Sequence, residues 1–331
     1  MVILGIDTSC DDTSFALLRN GKELLANLVS SQIDLHKAFG GVVPEIASRK
    51  HIELIDGLYE EALHHAGLSE KSIDAIGVTA GPGLIGSVII GLCFAKGLSM
   101  SLNIPIIGVN HIEAHAMSIL LENDVEFPLI ALVVSGGHTI ILRFDDFGVY
   151  KVLGSTRDDA AGEAFDKIAK FLDLGYPGGR IIEELSRQGK RDFVAFPRPM
   201  FADDNYDFSF SGLKTSMINY IKKYSINDYN LSSILASFQE AAFDVLVSKT
   251  LRASKDVRIP RIVVGGGVAA NERLRDLFQE RCSHDGIDVF FSSPVFCTDN
   301  GAMVANIAHH CFVNNRLSPL DIAPYSRMKF H

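Results

Sequence analysis

Residues 2–19, VILGIDTSCDDTSFALLR, and residues 128–144, PLIALVVSGGHTIILRF, decide the fold. Each stretch is an apolar run, a short polar turn and a second apolar run, which is the pattern of a β-hairpin. A parallel dinucleotide-binding sheet joins its strands by helices and does not normally begin each half with a hairpin. The repeated hairpin therefore predicts an α/β protein with two lobes built on one plan.

The segments that follow each hairpin alternate between strand and helix patterns. A further strand, residues 22–29, extends the first hairpin into a meander. The other predicted strands are residues 73–79, 104–109, 261–266 and 288–291. The predicted helices are residues 45–65, a helix after the turn AGPGLIG, residues 110–121, 159–172, 211–224, 231–254, a segment ending at residue 282 and a last helix from about residue 300. We predict domains at residues 1–110 and 111–331, with the last helix allowed to pack back on the first lobe.

The composition excludes several classes of protein. Hydrophobic residues make up 47% of the 331 residues and charged residues 21%, which rules out a disordered or fibrous chain. The 31 Lys and Arg against 40 Asp and Glu leave a net charge of -9, the wrong sign for bulk attraction to nucleic acid. An RNA partner would therefore need a local basic patch or an accessory subunit.

The cysteines and the apolar segments indicate a cellular location. The chain has five cysteines and no C-x-x-C pair, so neither a disulfide framework nor a thiolate zinc site is expected. The first twelve residues carry three aspartates where a secretory signal would be basic and then apolar. The longest apolar stretch, residues 84–102, is broken by Gly91, Lys96 and Gly97 and is interpreted as too short to span a membrane. We expect a soluble, cytoplasmic protein without a membrane partner.

Two histidines are the first candidates for metal chemistry. His111 and His115 lie in NHIEAHAMSILL, and a helical spacing of four puts both imidazoles on one face, where they can share a divalent ion. The ordinary alternative is a helix end with two histidines and no metal. A zinc peptidase also spaces its histidines by four, but its general-base Glu directly follows the first His. Here Glu113 comes second, so a metallopeptidase lacks its base.

Three glycine turns follow strands or precede helices: AGPGLIGS, VSGGHT and VVGGGVAANERL. Such turns expose backbone N–H groups to an anion. The third turn also matches a dinucleotide fingerprint through Gly265, Gly267 and Ala270, with Asp285 or Asp288 as the ribose acid. Ordinary tight turns remain the alternative for all three. No G-x-x-x-x-G-K-[ST] sequence occurs, which excludes a P-loop.

Several other polar residues have a structural explanation without any function. Asn271 and Asp299 each stand where a helix cap is expected, and Asp11 and Asp12 fit a turn. Residues 177–179, Pro-Gly-Gly, fit a plain turn between two helices.

Ten motifs in this order resemble the TsaD family, the tRNA adenosine threonylcarbamoyltransferases. They are GIDTSCDDT, GGVVPEIASRKH, AGPGLIGS, NHIEAH, LVVSGGHT, DDAAGEAFDKIAK, YPGG, DFSFSGLKT, GGGVAANERL and FCTDNGAM, from Gly5 to about Ala305. The SCD opening and the length are similar to the bacterial branch. The resemblance implies the two-lobed fold of actin, sugar kinases and heat-shock chaperone ATPases. Because the family was once labelled a glycoprotein endopeptidase, a metallopeptidase is the alternative function.

The resemblance also implies a reaction and its residues. The family transfers a threonylcarbamoyl group from threonylcarbamoyl-AMP to N6 of the adenosine next to the anticodon, in tRNAs that read codons beginning with A. It implies one divalent metal, iron, with zinc possible in purified protein, held by His111, His115 and Asp299. The adenylate site, which ATP or AMP can also occupy, would comprise Val133, Val134, Ser135, Gly136, Gly137, Asp166, Gly179, Glu183 and Asn271. Asp11 is our candidate for orienting or deprotonating the attacking amine.

The resemblance extends to partners and has departures. Bacterial members work with TsaB, a shorter relative, and with the ATPase TsaE, and the helix at residues 45–65 is a candidate pairing face.

Asp12 stands where the family usually has Glu, Glu183 where many members have Asp, and Arg180 where Pro is common. The ending PYSRMKFH lacks the usual Trp. A third alternative, an ATP-binding regulatory module, would leave the two histidines without a role.

Overall fold

The computed structural model describes residues 1–224 and 227–327, in which ten strands alternate with helices. The strands are β1 (Val2–Asp7), β2 (Asp12–Arg19), β3 (Glu23–Ser31), β4 (Ala75–Gly81), β5 (Ile106–Asn110), β6 (Leu129–Val134), β7 (Thr139–Asp146), β8 (Val149–Ser155), β9 (Arg261–Gly265) and β10 (Asp288–Phe291). The helices are α1 (Ile33–Lys37), α2 (Pro44–Ala66), α3 (Ile85–Leu102), α4 (His111–Met117), α5 (Ala161–Phe171), α6 (Gly178–Ser186), α7 (Ser211–Lys223), α8 (Asp228–Asp256), α9 (Glu272–Asp285), α10 (Pro294–Cys297) and α11 (Gly301–Val313).

The ten strands form two five-stranded sheets with the same order. The first is β3-β2-β1-β4-β5, and the second, read in the matching direction, is β8-β7-β6-β9-β10. In both sheets the two hairpin pairings are antiparallel and the remaining two pairings are parallel. Both predicted hairpins and the α/β class are confirmed. The sequence analysis did not predict β8, α1, α6 or α10.

The chain divides into two compact units. The first comprises Met1–Val125 together with Val295–His331, and the second comprises Glu126–Pro294. Residues 111–125 fall in the first unit because α4 directly follows β5 and packs against α11. The predicted domain ranges, residues 1–110 and 111–331, differ from these units and stay a prediction.

In the first unit, the two faces of the sheet are covered by different helices. Leu4 and Ile6 of β1 lie in an apolar cluster with residues of α2 and α3. The alternate residue Gly5 faces α11, because successive side chains of a strand point to opposite faces. A Cβ placed on Gly5 would lie 2.1 Å from the carbonyl oxygen of Gly301, and one on Gly77 of β4 would lie 2.4 Å from the Ala308 Cβ. The backbone of α11 therefore lies almost directly on the sheet.

Residues 314–327 run along β5, the edge strand of the first sheet, and cover it. Ser318 pairs with Ile106 of β5, and its Oγ accepts the Gly108 N–H at 2.9 Å. Farther along, the Tyr325 N–H donates to the Ala80 carbonyl at 3.0 Å. This cover matters because an uncovered edge strand is a template for pairing with another chain. Residues 328–331, the end of the segment that the sequence analysis compared with the family, lie outside the described residues.

Two helices meet the length and composition criteria for a membrane span, namely α3 and the part of α8 from Asn230 to Asp256. The expectation that the stretch at residues 84–102 falls short is therefore wrong on those criteria. The fold buries 33% of the residues of α3 and 67% of an apolar 18-residue stretch of α8. Helices of this kind are weak evidence for a membrane, because core helices of soluble proteins pass the same test.

Residues 177–179 are not a plain turn. Gly178 is the first residue of α6, with Pro177 at the N-cap. A Cβ on Gly178 would lie 2.6 Å from the Ala169 Cβ and 2.6 Å from the Phe165 carbonyl oxygen. The glycine therefore permits α6 to begin directly against α5.

We predict that Gly5→Ala lowers the free energy of unfolding of the first unit by at least about 1–3 kcal/mol. The new methyl group would overlap the carbonyl oxygen of Gly301, which cannot rotate away as a side chain can. Gly57→Ala is the matched control, since a Cβ at that position of α2 meets nothing within 4 Å. In a helix this control should be neutral or stabilising by up to about 1 kcal/mol. Urea unfolding of both variants measures the difference, and equal stability would contradict the close contact.

Candidate functional site

The two histidines and Asp299 converge in the first unit. His115 Nε2 lies 3.0 Å from Asp299 Oδ1, and His111 Nε2 lies 3.6 Å from the same oxygen. The three ligand atoms all lie within 4.8 Å of one another. Helix α4 supplies both imidazoles because it begins at His111, where the Asn110 side chain accepts the N–H groups of Ile112 and Glu113. We call His111, His115 and Asp299 the metal trio.

The metal trio fits a divalent transition metal. Two imidazole nitrogens and one carboxylate are the donor set that suits ferrous iron or zinc. Asp299 is free for this role because it does not cap α11; the N-cap is Asn300, whose Oδ1 accepts the Met303 N–H at 3.0 Å. The helix-cap alternative for Asp299 is therefore wrong. Glu113, the acid of the peptidase alternative, is not a member of the trio.

Two residues beside the trio were missed by the sequence analysis. Asp7, at the end of β1, is completely buried, and its Oδ2 lies 3.7 Å from His111 Nδ1. Ser9 Oγ lies 3.3 Å from Asp7 Oδ2 and 3.3 Å from Asp299 Oδ2, so its hydroxyl stands between two carboxylates. The sequence pattern that points to Asp7 is an acidic residue at the end of the otherwise apolar strand VILGID.

The two carboxylates have opposite electrostatic environments. Burial, followed by the negative charge of Asp299, raises the pKa of Asp7 to about 7. Burial acts against Asp299 as well, but the charge of His111 and the hydrogen bond from His115 hold its pKa below the ordinary value. The anionic form of Asp299, which a metal requires, is therefore favoured.

Asp11 lies in the turn between β1 and β2, in the same unit as the trio. Burial and the charge of Asp299 raise its pKa, although a hydrogen bond with Cys10 opposes the shift. The turn is held in place from two sides. The Gln32 N–H donates to the Asp11 carbonyl at 3.2 Å, and His51 Nε2 lies 3.0 Å from the Cys10 carbonyl oxygen.

Its neighbour Asp12 begins β2. Burial, and then the charge of Asp299, raise the pKa of Asp12 to about 7. One oxygen of its carboxylate, Oδ1, is buried without a hydrogen-bond partner among the described residues. Asp12 is therefore a strand residue with a buried carboxylate oxygen and not a solvated turn residue.

In the second unit, open space surrounds the glycines of the β6–β7 turn. A Cβ on Gly136 or Gly137 would meet nothing within 4 Å, and the same holds for Gly179 at the start of α6. The turn itself is firmly seated, since a Cβ on Gly162 of α5 would lie 2.6 Å from the Ser135 carbonyl oxygen. We call Gly136, Gly137 and Gly179 the open glycines. Val133 and Val134 are fully buried in β6 and offer only their backbone.

Three predicted substrate side chains already hold the N-termini of helices. Asp166 Oδ1 accepts the Gly178 N–H at 2.7 Å, at the start of α6. Glu183 Oε1 accepts the Glu272 N–H at 2.7 Å, and Asn271 Oδ1 accepts the Leu274 N–H at 3.2 Å, both at the start of α9. The capping role considered for Asn271 is confirmed. Contact of these side chains with an adenylate stays a prediction.

The third glycine turn has a conformational explanation. Gly266 has a positive φ of 91°, and a Cβ there would lie 2.4 Å from the Val134 carbonyl oxygen. The residues after it, Gly267–Ala270, form a 3-10 helix. Asp285, one ribose acid of the dinucleotide alternative, is paired with Lys255 at 2.6 Å.

Comparison with known sequences gives a consistent result. Residues 23–306 match the model of the TsaD family, described as tRNA N6-adenosine threonylcarbamoyltransferase. A protein of that description from Syntrophus aciditrophicus is 49% identical over 330 residues, covering 99% of this chain and 97% of the relative. Another from Clostridium kluyveri is 49% identical over 331 residues, with the same two coverages of 99% and 97%.

Solved structures are similar in fold alone. The HypF structure from T. kodakarensis superposes with a TM-score of 0.64 at 15% identity, covering 97% of this chain and 49% of HypF. This chain thus spans about half of the HypF chain. Component A of the Acidaminococcus fermentans (R)-2-hydroxyglutaryl-CoA dehydratase superposes with a TM-score of 0.55 at 16% identity, covering 94% of this chain and 98% of that one. The predicted actin-like and sugar-kinase-like fold is confirmed.

We predict that His115→Ala lowers metal affinity by more than about tenfold, because even loss of a residue that only supports a ligand costs that much. The fold should survive, since Ala is the best helix former. His65→Ala, an exposed histidine of α2, is the matched control. Iron and zinc stoichiometry and melting temperature are measured on both preparations. Full metal occupancy in His115→Ala would contradict the three-ligand site.

Proposed function

The chain belongs to the TsaD family, the tRNA N6-adenosine threonylcarbamoyltransferases, and from this premise we propose which residues carry out the transfer. The enzyme is an acyltransferase that modifies adenosine in tRNA. The family match over residues 23–306 carries this conclusion. No observation favours the metallopeptidase.

The reaction that we propose is attack by the exocyclic amine of the adenosine on the carbamoyl carbon of threonylcarbamoyl-AMP. A new C–N bond forms, and the bond between that carbon and the phosphate oxygen breaks, which releases AMP. The amine must lose one proton in the process. Because an aryl amine is a very weak acid, the proton leaves after C–N bond formation has begun.

We assign the proton transfer to Asp11. Burial raises the pKa of its carboxylate, which makes it a better base than an exposed aspartate. The Gln32 N–H and the His51 side chain hold the turn that carries it, through the carbonyl oxygens of Asp11 and Cys10. A base that is fixed in position loses less freedom when it meets the amine.

The metal trio would hold one divalent ion, which we propose to be Fe²⁺, with Zn²⁺ able to replace it in purified protein. When bound, such an ion supplies Lewis acidity toward carbamoyl or phosphate oxygens. The contribution of the chain is to bring two imidazoles and one carboxylate to one point. The Ser9 hydroxyl, beside both Asp7 and Asp299, orients the carboxylate of Asp299.

We propose that the open glycines receive the phosphate of the adenylate. The absence of any atom within 4 Å of a Cβ at these positions leaves room for a ligand against the backbone. Asp166 and Asn271 would contact the ribose and the nucleotide from the adjoining helix starts, with Glu183 beside them. ATP or AMP would occupy the same space.

A TsaB-like subunit and a TsaE-like ATPase are the proposed partners. Ile85, Ile89 and Met100 lie within about 60° on one face of α3 and are 46%, 42% and 70% exposed. Ile52 of α2, the helix that packs beside α3, is 64% exposed. An exposed apolar face of this kind is typical of a pairing surface. We place the enzyme in the cytoplasm, where tRNA is modified.

We predict that Asp166→Ala weakens AMP binding by about tenfold or more, the usual cost of losing a charged hydrogen bond. Metal content should not change, because Asp166 belongs to the second unit and the metal trio to the first. Asp166→Asn serves as the control for folding, since its amide oxygen can still accept the Gly178 N–H. Calorimetric titration with AMP and metal analysis test this. Loss of metal together with AMP binding would contradict two separate sites.

We also predict that the isolated chain transfers little threonine to tRNA and that adding the TsaB-like partner restores transfer. Ile89→Asp should weaken assembly by about tenfold or more, because a carboxylate would be buried against an apolar partner. Val149→Asp, which places the same charge on exposed β8, should assemble normally.

The test is incorporation of labelled threonine into tRNA, with the adenylate-forming enzyme and the partners added one at a time. Robust turnover by the isolated chain would contradict partner dependence. Absence of transfer with every component present, together with hydrolysis of peptides, would overturn the proposed function.

A further inference from the structure

Exposed aromatic rings and lysines lie together where α5 and α7 end in the second unit. Phe171 is 42% exposed and Tyr224 is 49% exposed. Lys222 Nζ lies 6.0 Å from the centroid of the Phe171 ring, and Lys223 Nζ lies 5.2 Å from that of Tyr224. These four residues place two cations over two solvent-facing rings.

The segment after α6 packs on α7 through the buried ring of Phe196 and carries further exposed cations and an exposed ring. It carries Lys190, Arg191 and Phe193, which is 47% exposed. The segment reaches α7 through rings, because Phe196 lies 5.8 Å from Tyr220 and Tyr220 lies 4.6 Å from Tyr224, centroid to centroid. We call the whole surface the basic–aromatic patch: Phe171, Lys190, Arg191, Phe193, Lys222, Lys223 and Tyr224.

The cations of the patch differ from most others in this unit. Lys167 and Lys214 both bind Asp159, and Arg198 and Arg281 both bind Asp244. By contrast, among residues 1–224, 227 and 230–327, whose side chains the structure describes, no ion pair involves Lys190, Arg191, Lys222 or Lys223. Exposed acids occur nearby at Asp173 and Asp192 and form no ion pair with these cations either.

The net charges of the two units also favour the second unit as the one that binds an anion. The first unit has 10 Lys and Arg against 17 Asp and Glu, whereas the second has 21 against 23. The second unit is therefore close to neutral, so cations that form no ion pair with its described side chains contribute to a local positive field.

We propose that the basic–aromatic patch docks the tRNA substrate, with its cations on backbone phosphates and its rings on unpaired bases. The proposal rests on the family's transfer to tRNA. The carboxylates of an acidic protein would pair with the four cations but would not contact the three exposed rings. Single-stranded parts of an RNA use both, because phosphates bind cations and splayed bases stack on aromatic faces.

The test uses the chain with the partners that transfer requires, and measures the dissociation constant of tRNA at several salt concentrations. Lys222→Gln/Lys223→Gln should weaken binding and reduce the slope of log K against log salt by roughly 0.7–0.9 for each phosphate that the protein no longer neutralises. Lys71→Gln/Lys151→Gln is the matched control, because it removes the same charge from exposed lysines outside the patch.

The rings are tested separately from the charges. Tyr224→Ala should weaken tRNA binding by about tenfold, the usual effect of losing one stacked base, without changing the salt slope. AMP binding should stay at its wild-type value in all variants, since no patch residue belongs to the proposed adenylate site. Melting temperature should fall slightly in Tyr224→Ala alone, because that ring contacts Tyr220.

The outcomes distinguish the patch from the function. Wild-type tRNA binding and salt slope in both patch variants would overturn the patch while leaving transfer by the wild-type protein intact. Loss of partner assembly instead of tRNA binding would assign the surface to an acidic protein and also overturn the proposal. Absence of transfer in the wild-type complex would count against the proposed function and not against the patch.

Discussion

The contact between Gly5 and Gly301 is the constraint on which the first unit depends. It lets the backbone of α11 lie against β1, and Asp299 comes two residues before Gly301. Asp7 comes two residues after Gly5 at the end of the same strand. One close approach of two backbones therefore sets the distance between the two carboxylates. Ser9 lies between them, with its Oγ 3.3 Å from Oδ2 of Asp7 and 3.3 Å from Oδ2 of Asp299. The Gly301 N–H, which donates to Ser14 Oγ at 2.7 Å, holds the helix start in register.

The repeated sheet presents different chemistry at equivalent positions. The first hairpin carries Asp11 in its turn and Asp12 at the start of β2, whereas the equivalent turn between β6 and β7 carries Ser and two glycines. A carboxylate turn repels a phosphate and suits a metal centre or a base. A glycine turn leaves space and backbone dipoles for an anion. The same topology thus carries acidic side chains at one hairpin and glycines with open space at the other.

The sequence predicted the parts that depend on local pattern. The hairpins, the helix of the two histidines and the placement of both imidazoles on one helix face follow from periods of two and 3.6 residues. Asp299 is different, because 184 residues separate it from His115 and only the resemblance linked them. The start of α6 was missed because Pro-Gly-Gly is typical of turns, and here the missing Cβ of Gly178 serves helix packing. Asp7 was missed because burial of an acid is a tertiary property. The same limit applies to α3, whose composition cannot tell a core helix from a membrane span.

The first unit is discontinuous in sequence, and this has a consequence for synthesis on the ribosome. Residues 126–294 form an unbroken unit, so they can complete their sheet before α11 has emerged. During that interval the first sheet has one face without its helix, and an apolar surface centred on Gly5 and Gly77 is exposed. The unit that begins to fold first is therefore the last to be finished. Its nascent form, lacking Asp299, holds two of the three residues of the metal trio until almost the whole chain has been translated.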